Sequence, residues 1–429
     1  MVGRLLGSRV LVGMPDGGQV GLSRRSHALA ESPLSDEIYH LPMRSDVPRH
    51  RRPLRIAAAV ASVTALLLTA TSWAGFAAVK GVEGNLAVDT SLGRQLVAAS
   101  AAPSSSSEPN TPENILVVGT DTRTGQGRAY GTTVDSSGYG HSDTAFLLHI
   151  SADRKSAFAV SIPRDSWVVR PGCRADGTTD GTLTPPGRFN TAFAVGGRNC
   201  VIAAVKYLTG VPVNHFVEVN FLGFEAIVNA LGGVDICTTH AISDPVRRTS
   251  TGFVGSGLEL PKGNVHVNGT QALALVRARH IGDGSDLSRI DRQHQFMSAV
   301  IRQATSAGLI TDPVKLYDVL SKVAQSLTVD AGLTGDALQE FLLSLQGLKP
   351  SAIRFYTVPN VGRSDHATVE WVRPAAQLMW TAMIKDTAYP AKAKATASSS
   401  AGTTSTKSAS PASTDGSSPS TASDATCIS

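Results

Sequence analysis

The sequence predicts an α/β fold, an α-β-α sandwich with a central mixed sheet, preceded by one transmembrane helix. Short β-rich apolar runs alternate with stretches of helical periodicity, which is typical of one sheet covered by helices. A long uncharged segment directly after an arginine cluster is typical of a membrane anchor. With 42% hydrophobic and 17% charged residues, the 429-residue chain can build one sizeable domain beside polar segments.

The predicted anchor is the uncharged stretch at residues 56–79, which is long enough to cross a bilayer as a helix. An arginine cluster at residues 44–55 precedes it, and the single cation Lys80 follows it. Since arginines stay on the cytoplasmic side, we expect a single-pass protein of the cell membrane with its C-terminal domain extracytoplasmic. A buried helix and a cleaved signal peptide are the alternatives, and the long polar region before the stretch disfavours the latter.

Composition divides the chain into five segments. These are a disordered cytoplasmic tail at residues 1–53, a transmembrane signal anchor at 54–79, a stem and linker at 80–112, a folded extracytoplasmic domain at 113–386, and a low-complexity Ala/Ser/Thr-rich tail at 387–429. The two tails lack the large apolar residues that a core requires. For the last segment we expect a wall-spanning or glycosylatable tail.

Six strands and three helices are predicted within the folded domain. The strands are residues 115–118, 144–150, 157–162, 215–219, 234–237 and 353–358, and the helices lie around residues 201–208, 221–231 and 286–304. Gly210 should end the first helix, and Asp286 or Ser288 should cap the third. Apolar stripes on these helices would suit either a packed core or a lipid pocket.

A first polar cluster follows from the strand order. Asp121 and Arg123 come directly after the first strand, where α/β sheets usually bind ligands. Asp143 opens the second strand, and a hairpin connection to the third would place it beside Arg164 and Asp165. If the first and third strands run parallel, all five side chains meet at one edge. Paired carboxylates suit Mg²⁺ (or Mn²⁺), and arginines suit phosphate oxygens.

A second cluster lies further along the chain. Arg277 and Arg279 share a face if their segment is extended. Asp286 stands at the start of the helix that follows. That helix carries Arg289, Arg292 and Gln293. The spacing of the last three should bring them near the positive helix N-terminus, where anions bind. Together the clusters indicate phosphoryl transfer, in which a metal and arginines neutralise two phosphates.

Several other classes are disfavoured. The chain has no GxSxG, HExxH or Walker motif, and its histidines lack ligand spacing. The net charge of +5 is mild, and no basic stripe with interleaved aromatic residues indicates nucleic acid as a partner. We therefore expect no nucleic-acid binding.

The motifs, taken in order, resemble those of the LytR-CpsA-Psr (LCP) family, of actinobacterial type. They are residues 114–123, 142–144, 161–165, 188–194, 223–234, 258–263 and 271–293. The resemblance implies a cell-wall ligase: a membrane-anchored phosphotransferase that moves a glycopolymer from a polyprenyl-pyrophosphate carrier to a peptidoglycan sugar hydroxyl. The carrier-linked glycan, the peptidoglycan acceptor and the cytoplasmic membrane would be its partners.

The resemblance also implies roles for the site residues. Asp121 and Asp143 would hold Mg²⁺, and the polyprenyl chain would occupy an apolar tunnel between sheet and helices. Pyrophosphate oxygens would be bound by Arg123, Arg164, Arg277, Arg279, Arg289, Arg292 and Gln293. The catalytic group would comprise Asp121, Asp143, Arg123, Arg164 and Asp286, and Asp286 or a metal-bound aspartate would accept the proton of the sugar hydroxyl.

Two departures from the family pattern stand near the first cluster. His141 replaces the usual arginine before Ser142, which would weaken a phosphate contact or make it depend on pH. Residues 124–141 form a Gly/Ser/Thr-rich insertion, interpreted as a mobile loop over the site or a linker without function. Pyrophosphate hydrolysis and non-catalytic polyprenyl-phosphate binding remain alternatives, whereas transcriptional attenuation is disfavoured because residues 1–53 contain no helix-turn-helix pattern.

The four cysteines are expected to lie in an oxidising compartment, where disulfides form. Cys173 and Cys200 flank a Gly/Pro/Thr-rich excursion that a disulfide would close. Cys237 and Cys427 could then pair and join the end of the chain to the domain. Alternatively, Cys427 is a free thiol.

The topology can be tested by protease treatment of intact spheroplasts. We expect the protease to remove the domain at residues 113–386 and to spare residues 1–53, since only the former would lie outside the membrane. Immunoblotting with antibodies against each end measures the outcome. Protection of the domain, or loss of the N-terminal segment, would contradict the predicted orientation.

Overall fold

A computed structural model describes residues 86–94, 96, 111–121, 140–174, 176–249, 252–278, 281–282, 284–306, 308–309, 312–334, 337–338, 341, 344–389, 420–421 and 427–428. The predicted anchor at residues 54–79, the tail before it and nearly all of the insertion at 124–141 lie outside the described residues. Within the described part of the chain, no helix combines the length and hydrophobicity needed to cross a bilayer.

The domain consists of short strands and six α-helices among the described residues. The strands are β1 (Ala87–Asp89), β2 (Glu113–Thr120), β3 (Ser142–Ile150), β4 (Ala157–Ser161), β5 (Trp167–Val168), β6 (Pro171–Cys173), β7 (Thr179–Leu183), β8 (Gly187–Arg188), β9 (His215–Asn220), β10 (Val234–Thr238), β11 (Ile242–Asp244), β12 (Arg247–Thr249), β13 (Gly252–Val254), β14 (Leu258–Leu260), β15 (Gly263–Val267), β16 (Leu327–Asp330), β17 (Ile353–Thr357), β18 (Asn360–Gly362), β19 (Val369–Trp371) and β20 (Ser420–Thr421). The helices are α1 (Thr191–Thr209), α2 (Phe221–Ala230), α3 (Gly269–Arg277), α4 (Asp286–Ser306), α5 (Pro313–Val323) and α6 (Arg373–Ile384).

The central sheet of the described residues has eight strands in the order β1-β16-β9-β2-β3-β4-β17-β20. The β2–β9 and β4–β17 pairs are parallel, whereas β2–β3 and β3–β4 are antiparallel. This confirms the predicted central mixed sheet and makes β2 parallel to β4, which was the condition for the first polar cluster. Of the six predicted strands, five lie in this sheet, and β10 pairs with β15 instead.

Alternating side chains of β2 divide the interior into two layers. Leu116 and Val118 are fully buried in a core that includes Val201 of α1 and Trp380 of α6. Neighbouring side chains of a strand point to opposite faces, so Val117 lies on the other face of the sheet, toward the helices that follow β9. Helices therefore cover both faces, as the fold class predicts.

The helix ends follow local sequence. Gly210, with φ of 70°, takes the left-handed conformation after α1, as predicted, because a glycine has no Cβ to oppose it. At α4 the expected cap is wrong. The Ser285 hydroxyl accepts the Ser288 N–H at 3.1 Å, so Ser285 is the capping residue and Asp286 is the first helical residue.

Segments on both sides of the predicted domain join the sheet. In the segment predicted as a stem, β1 pairs with β16, and Asp89 forms an ion pair with Arg198 of α1 at 3.1 Å. In the C-terminal segment, β20 pairs with β17, and Ile428 is 2% exposed in a second core below β10. The described fold thus extends beyond residues 113–386 at both ends.

Two disulfides are present. Cys173 bonds to Cys200, as expected for the excursion between β6 and α1. Cys237 of β10 bonds to Cys427, so Cys427 is bonded and is not a free thiol. The second disulfide spans 190 residues and holds Ile428 against the core.

Replacing Cys237 and Cys427 together with serine should lower the free energy of unfolding by about 2–5 kcal/mol, because a long loop is released in the unfolded chain. Urea unfolding followed by tryptophan fluorescence measures the change. The matched control replaces Cys173 and Cys200, whose shorter loop should contribute less in the chain-entropy model. Equal stability of the first variant and the wild type would contradict the structural role of the C-terminal segment.

Candidate active site

The site is built on an irregularity in the β2–β3 ladder. Gly119 is opposite Thr144, but Thr120 is opposite Ser142, so Asp143 is the extra residue of a β-bulge. One residue further, the Asp121 N–H donates to the carbonyl of His141 at 3.2 Å, and the His141 N–H donates to Asp121 Oδ1 at 2.6 Å. The two predicted metal-binding aspartates therefore lie at the same edge of the sheet.

Arg164 joins this edge to α4. It lies in the loop after β4, and its guanidinium is 2.9 Å from Asp143 and 3.3 Å from Asp286. The same side chain is 3.4 Å from its neighbour Asp165, while Arg289 pairs with Asp286 from one turn along the helix. The structure thus brings the first and second predicted clusters together through Arg164.

In this cluster, burial and the neighbouring charges shift pKa values in opposite directions. Burial alone would lower the pKa of Arg164, but the attraction of Asp143, Asp286 and Asp165 raises it above its usual value. The pKa of Asp286 is raised because burial outweighs the attraction of Arg289 and Arg164. A carboxyl group with a raised pKa beside fixed guanidinium groups is suited to accepting a proton.

Some buried polar atoms of this cluster make no hydrogen bond. Within the described residues these are Asp165 Oδ1, Asp286 Oδ2 and the donor Arg164 Nε, although Asp165 Oδ1 lies 3.4 Å from the Arg188 guanidinium. The same part of the chain holds no group of three or more His, Cys, Asp and Glu side chains arranged as a complete metal site. The chain could therefore supply two ligands to Mg²⁺ (or Mn²⁺), Asp121 and Asp143, and phosphate or water oxygens would complete its coordination. Carboxylate oxygens are the ligand type that such a cation prefers.

A cavity of about 750 Å³ opens beside the cluster, between the sheet and helices α2, α3 and α4. Asp143, Arg277, Arg289 and Gln293 are among its polar lining residues. Its apolar lining includes Val117, Phe146, Phe224, Phe296, Met297, Val300 and Phe355. A charged group next to a largely apolar chamber suits a ligand with a phosphate head and a hydrocarbon tail.

Two predicted residues are placed differently from expectation. Arg277 lies in the last turn of α3 and stacks 4.0 Å from the Phe221 ring centroid, so the segment is helical and not extended. Arg292 is 2% exposed, and it donates to the carbonyls of Ala278 at 2.5 Å and Ile281 at 3.1 Å. It does not line the cavity, whereas Arg289 and Gln293, one helical turn apart, both do. Arg123 and Arg279 lie outside the described residues.

A further polar pair, which was not predicted, lies in the cavity wall. The Oγ of Ser161, the last residue of β4, is 2.8 Å from Nε2 of His294 on α4. Burial lowers the pKa of His294 to about 4, so the imidazole is neutral near pH 7. Its ring stacks on Phe355 at 5.4 Å. The adjacency of His294 to Gln293 was the available signal, but it could not show which strand residue faces the helix.

The fold and the site define a class that known proteins share. Residues 83–385 match the model of the LytR_cpsA_psr family, and the chain belongs to this family. It is 30% identical over 328 residues to cell wall biosynthesis protein LcpA of Corynebacterium glutamicum, a match that covers 70% of this chain and 59% of LcpA. The chain thus spans less than two thirds of the length of that relative.

Two further comparisons agree with this assignment. The chain is 32% identical over 269 residues to the polyisoprenyl-teichoic acid–peptidoglycan teichoic acid transferase TagU of Bacillus anthracis, covering 59% of this chain and 76% of TagU. The crystal structure of protein gbs0355 from Streptococcus agalactiae superposes with a TM-score of 0.52 at 20% identity, covering 64% of this chain and 88% of that chain. The latter likeness concerns the fold alone.

The bridging role of Arg164 can be tested by replacement with glutamine. Loss of the guanidinium leaves Asp143, Asp165 and Asp286 without their shared cation, and we expect the free energy of unfolding to fall by about 3–5 kcal/mol. Arg188 is the matched control, because it is 46% exposed and contacts Asp165 at 3.4 Å. Replacing Arg188 with glutamine should lower the free energy of unfolding by about 1 kcal/mol or less. Denaturant titration measures both, and equal losses would contradict a central role for Arg164.

Proposed function

We propose that this protein transfers a glycopolymer from a polyprenyl-pyrophosphate carrier to a sugar hydroxyl of peptidoglycan during assembly of the cell wall. The observation that carries the proposal is the joining of the carboxylate and guanidinium cluster to a large apolar cavity. Such a site matches the two chemical parts of a prenyl pyrophosphate. The family assignment and the printed name of TagU favour the same substrate class.

Each group near the cavity has a role in this reaction. Arg289, Arg277 and Gln293 would bind pyrophosphate oxygens, since guanidinium groups make paired contacts with phosphate. Arg164 would hold Asp143 and Asp286 in place. Arg123 and Arg279 are proposed as further phosphate ligands. Arg292 would act by fixing the backbone between α3 and α4, through its contacts with two carbonyls.

Asp286 is proposed to receive the proton. The acceptor hydroxyl oxygen attacks the phosphorus that carries the glycan, the bond to the bridging oxygen breaks, and polyprenyl phosphate leaves. The raised pKa of Asp286 favours uptake of the hydroxyl proton. Asp121 and Asp143 would hold Mg²⁺ (or Mn²⁺), which when bound would neutralise charge on the pyrophosphate.

A lipid-borne substrate requires the site to be close to a membrane. We propose that residues 54–79 anchor the chain in the cytoplasmic membrane, with the domain on the extracytoplasmic side. The two disulfides are compatible with that compartment, where thiols become oxidised. Strand β1 is only a few residues from the end of the proposed anchor, so the domain would begin close to the bilayer.

The test incubates the full-length chain with a prenyl-pyrophosphate oligosaccharide, Mg²⁺ and peptidoglycan. We expect glycan attached to peptidoglycan together with released prenyl phosphate. Asp143→Asn should slow the reaction by about 100-fold or more, since it removes charge that acts on the pyrophosphate. Asp235→Asn is the matched control, because that side chain is 74% exposed on β10, and its rate should equal that of the wild type.

The other outcomes separate the alternatives. Free glycan phosphate without attachment to peptidoglycan would replace transfer with hydrolysis of the carrier. Lipid that is bound but unchanged, with Asp143→Asn behaving as the wild type, would show a non-catalytic binding protein. Product formation that is unaffected by a metal chelator would contradict the assistance of Mg²⁺.

A further inference from the structure

A second cavity, of about 590 Å³, lies apart from the first and shares none of its lining residues. Its walls come from β5, β19, the end of α1 and helix α6. Four aromatic side chains contribute to them: Trp167 and Trp371 are half-buried, Tyr207 is 50% exposed, and Trp380 is buried. The Arg363 guanidinium covers one face of the Trp167 ring, 4.7 Å from its centroid. Aromatic side chains that remain accessible within a concave site are typical of a ligand-binding pocket.

Polar groups stand beside these rings. Glu370, Arg373 and Gln377 line the same cavity and are exposed, and within the described residues their side chains have no protein partner. A carboxylate, a guanidinium and an amide together offer acceptors and donors for hydroxyl groups. Aromatic faces beside such groups suit a pyranose sugar, which has an apolar C–H face and a rim of hydroxyls.

Trp380 lies beneath these rings. Its side chain lines the cavity and is 1% exposed, and its indole Nε1 is buried. The ring centroids of Trp380 and Trp371 are 5.7 Å apart. A ligand that stacks on Trp371 would therefore change the surroundings of the Trp380 indole.

The loop that carries Arg164 also contributes a residue to the second cavity. After Asp165, the Ser166 hydroxyl accepts the Trp371 indole N–H at 2.9 Å, and Trp167 forms part of the second cavity. The Val369 N–H also donates to the Asp165 carbonyl at 3.1 Å, which fixes the loop to β19. A ligand in the second cavity is therefore only a few residues along the chain from the guanidinium cluster.

We propose that this second cavity binds a pyranose segment of a wall glycan, at a wall that continues the loop carrying Arg164. The proposal deepens the proposed function and rests on it for the identity of the glycan. The sugar could belong to the peptidoglycan strand or to the carrier-linked polymer. Both sources present the same chemistry: stacked pyranose faces and hydroxyl hydrogen bonds.

Isothermal titration calorimetry of the full-length chain tests the proposal, in a detergent whose headgroup is not a sugar. The probes are a β-1,4-linked N-acetylglucosamine tetramer, which represents the peptidoglycan strand, and an α-linked glucose tetramer without N-acetyl groups. We expect saturable binding. Preference for the first probe indicates the acceptor strand, and equal binding of both indicates general pyranose recognition that suits the carrier-linked polymer.

Variants locate the binding. Tyr207→Ala and Gln377→Ala should each weaken saccharide binding by about threefold to tenfold, the loss typical of one aromatic or hydrogen-bonding contact. Leu378→Ala is the matched control, because Leu378 is 63% exposed on the same helix and does not line the cavity. It should bind as the wild type does. In ¹⁵N-tryptophan spectra, the Trp380 indole resonance should shift when the tetramer binds.

The outcomes separate this proposal from the proposed function. Arg289→Ala should retain saccharide binding, because it alters only the first cavity. If glycan transfer fails in every assay but the tetramer binds and Tyr207→Ala weakens it, the saccharide site stands and the transferase does not. No heat of binding with either tetramer, or equal binding by Tyr207→Ala, Gln377→Ala and the wild type, overturns the saccharide site.

Discussion

Where the β3–β4 hairpin meets the start of α4, the guanidinium of Arg164 lies between Asp143, Asp165 and Asp286. These carboxylates come from a strand, a loop and a helix, so one cation fixes the relative positions of three elements. Without it, several negative charges would share a partly buried edge, and the desolvation cost would be uncompensated. The position of Arg289 on α4 depends on the same arrangement, because Arg289 pairs with Asp286.

The edge itself could be predicted from the sequence because the physics is local. The short connection at residues 151–156, between two apolar runs, implies an antiparallel hairpin, which brings Asp143 beside Arg164. To place Asp121 at the same edge, β2 must also run parallel to β4. The strand order along the chain does not determine that direction. The bulge at Asp143 was not predicted, although Gly119 stands in β2 at the register shift, and a glycine inside a strand often accompanies a bulge.

The other features of the site depend on tertiary contacts, which could not be predicted from the sequence. Arg292 and Gln293 are neighbours in sequence, yet one faces a pair of carbonyls and the other faces the cavity, and helical spacing cannot tell which side meets the sheet. Ser161 and His294 are far apart in the chain, so their hydrogen bond follows only from the packing of α4 on β4. The strand pairing of β1 and β20 was missed because both lie in segments whose composition is typical of linkers and tails.

The loop from Arg164 to Trp167 connects the carboxylate cluster with the second cavity. One end of this loop contacts the carboxylate cluster, and the other contributes an aromatic ring to the second chamber. Its middle is fixed by hydrogen bonds to β19. A substitution in β19 can therefore change the geometry of the charged cluster without touching it, since both depend on the same short backbone segment.

The disulfide of Cys427 gives the second core a covalent link that its packing alone would not supply. Cys427 is bonded to Cys237 of β10, and the neighbouring Ile428 is buried in that core. Reduction of this one bond would leave Ile428 held by packing and by its backbone hydrogen bonds alone. The stability of the second core would therefore depend on the redox state of the surroundings.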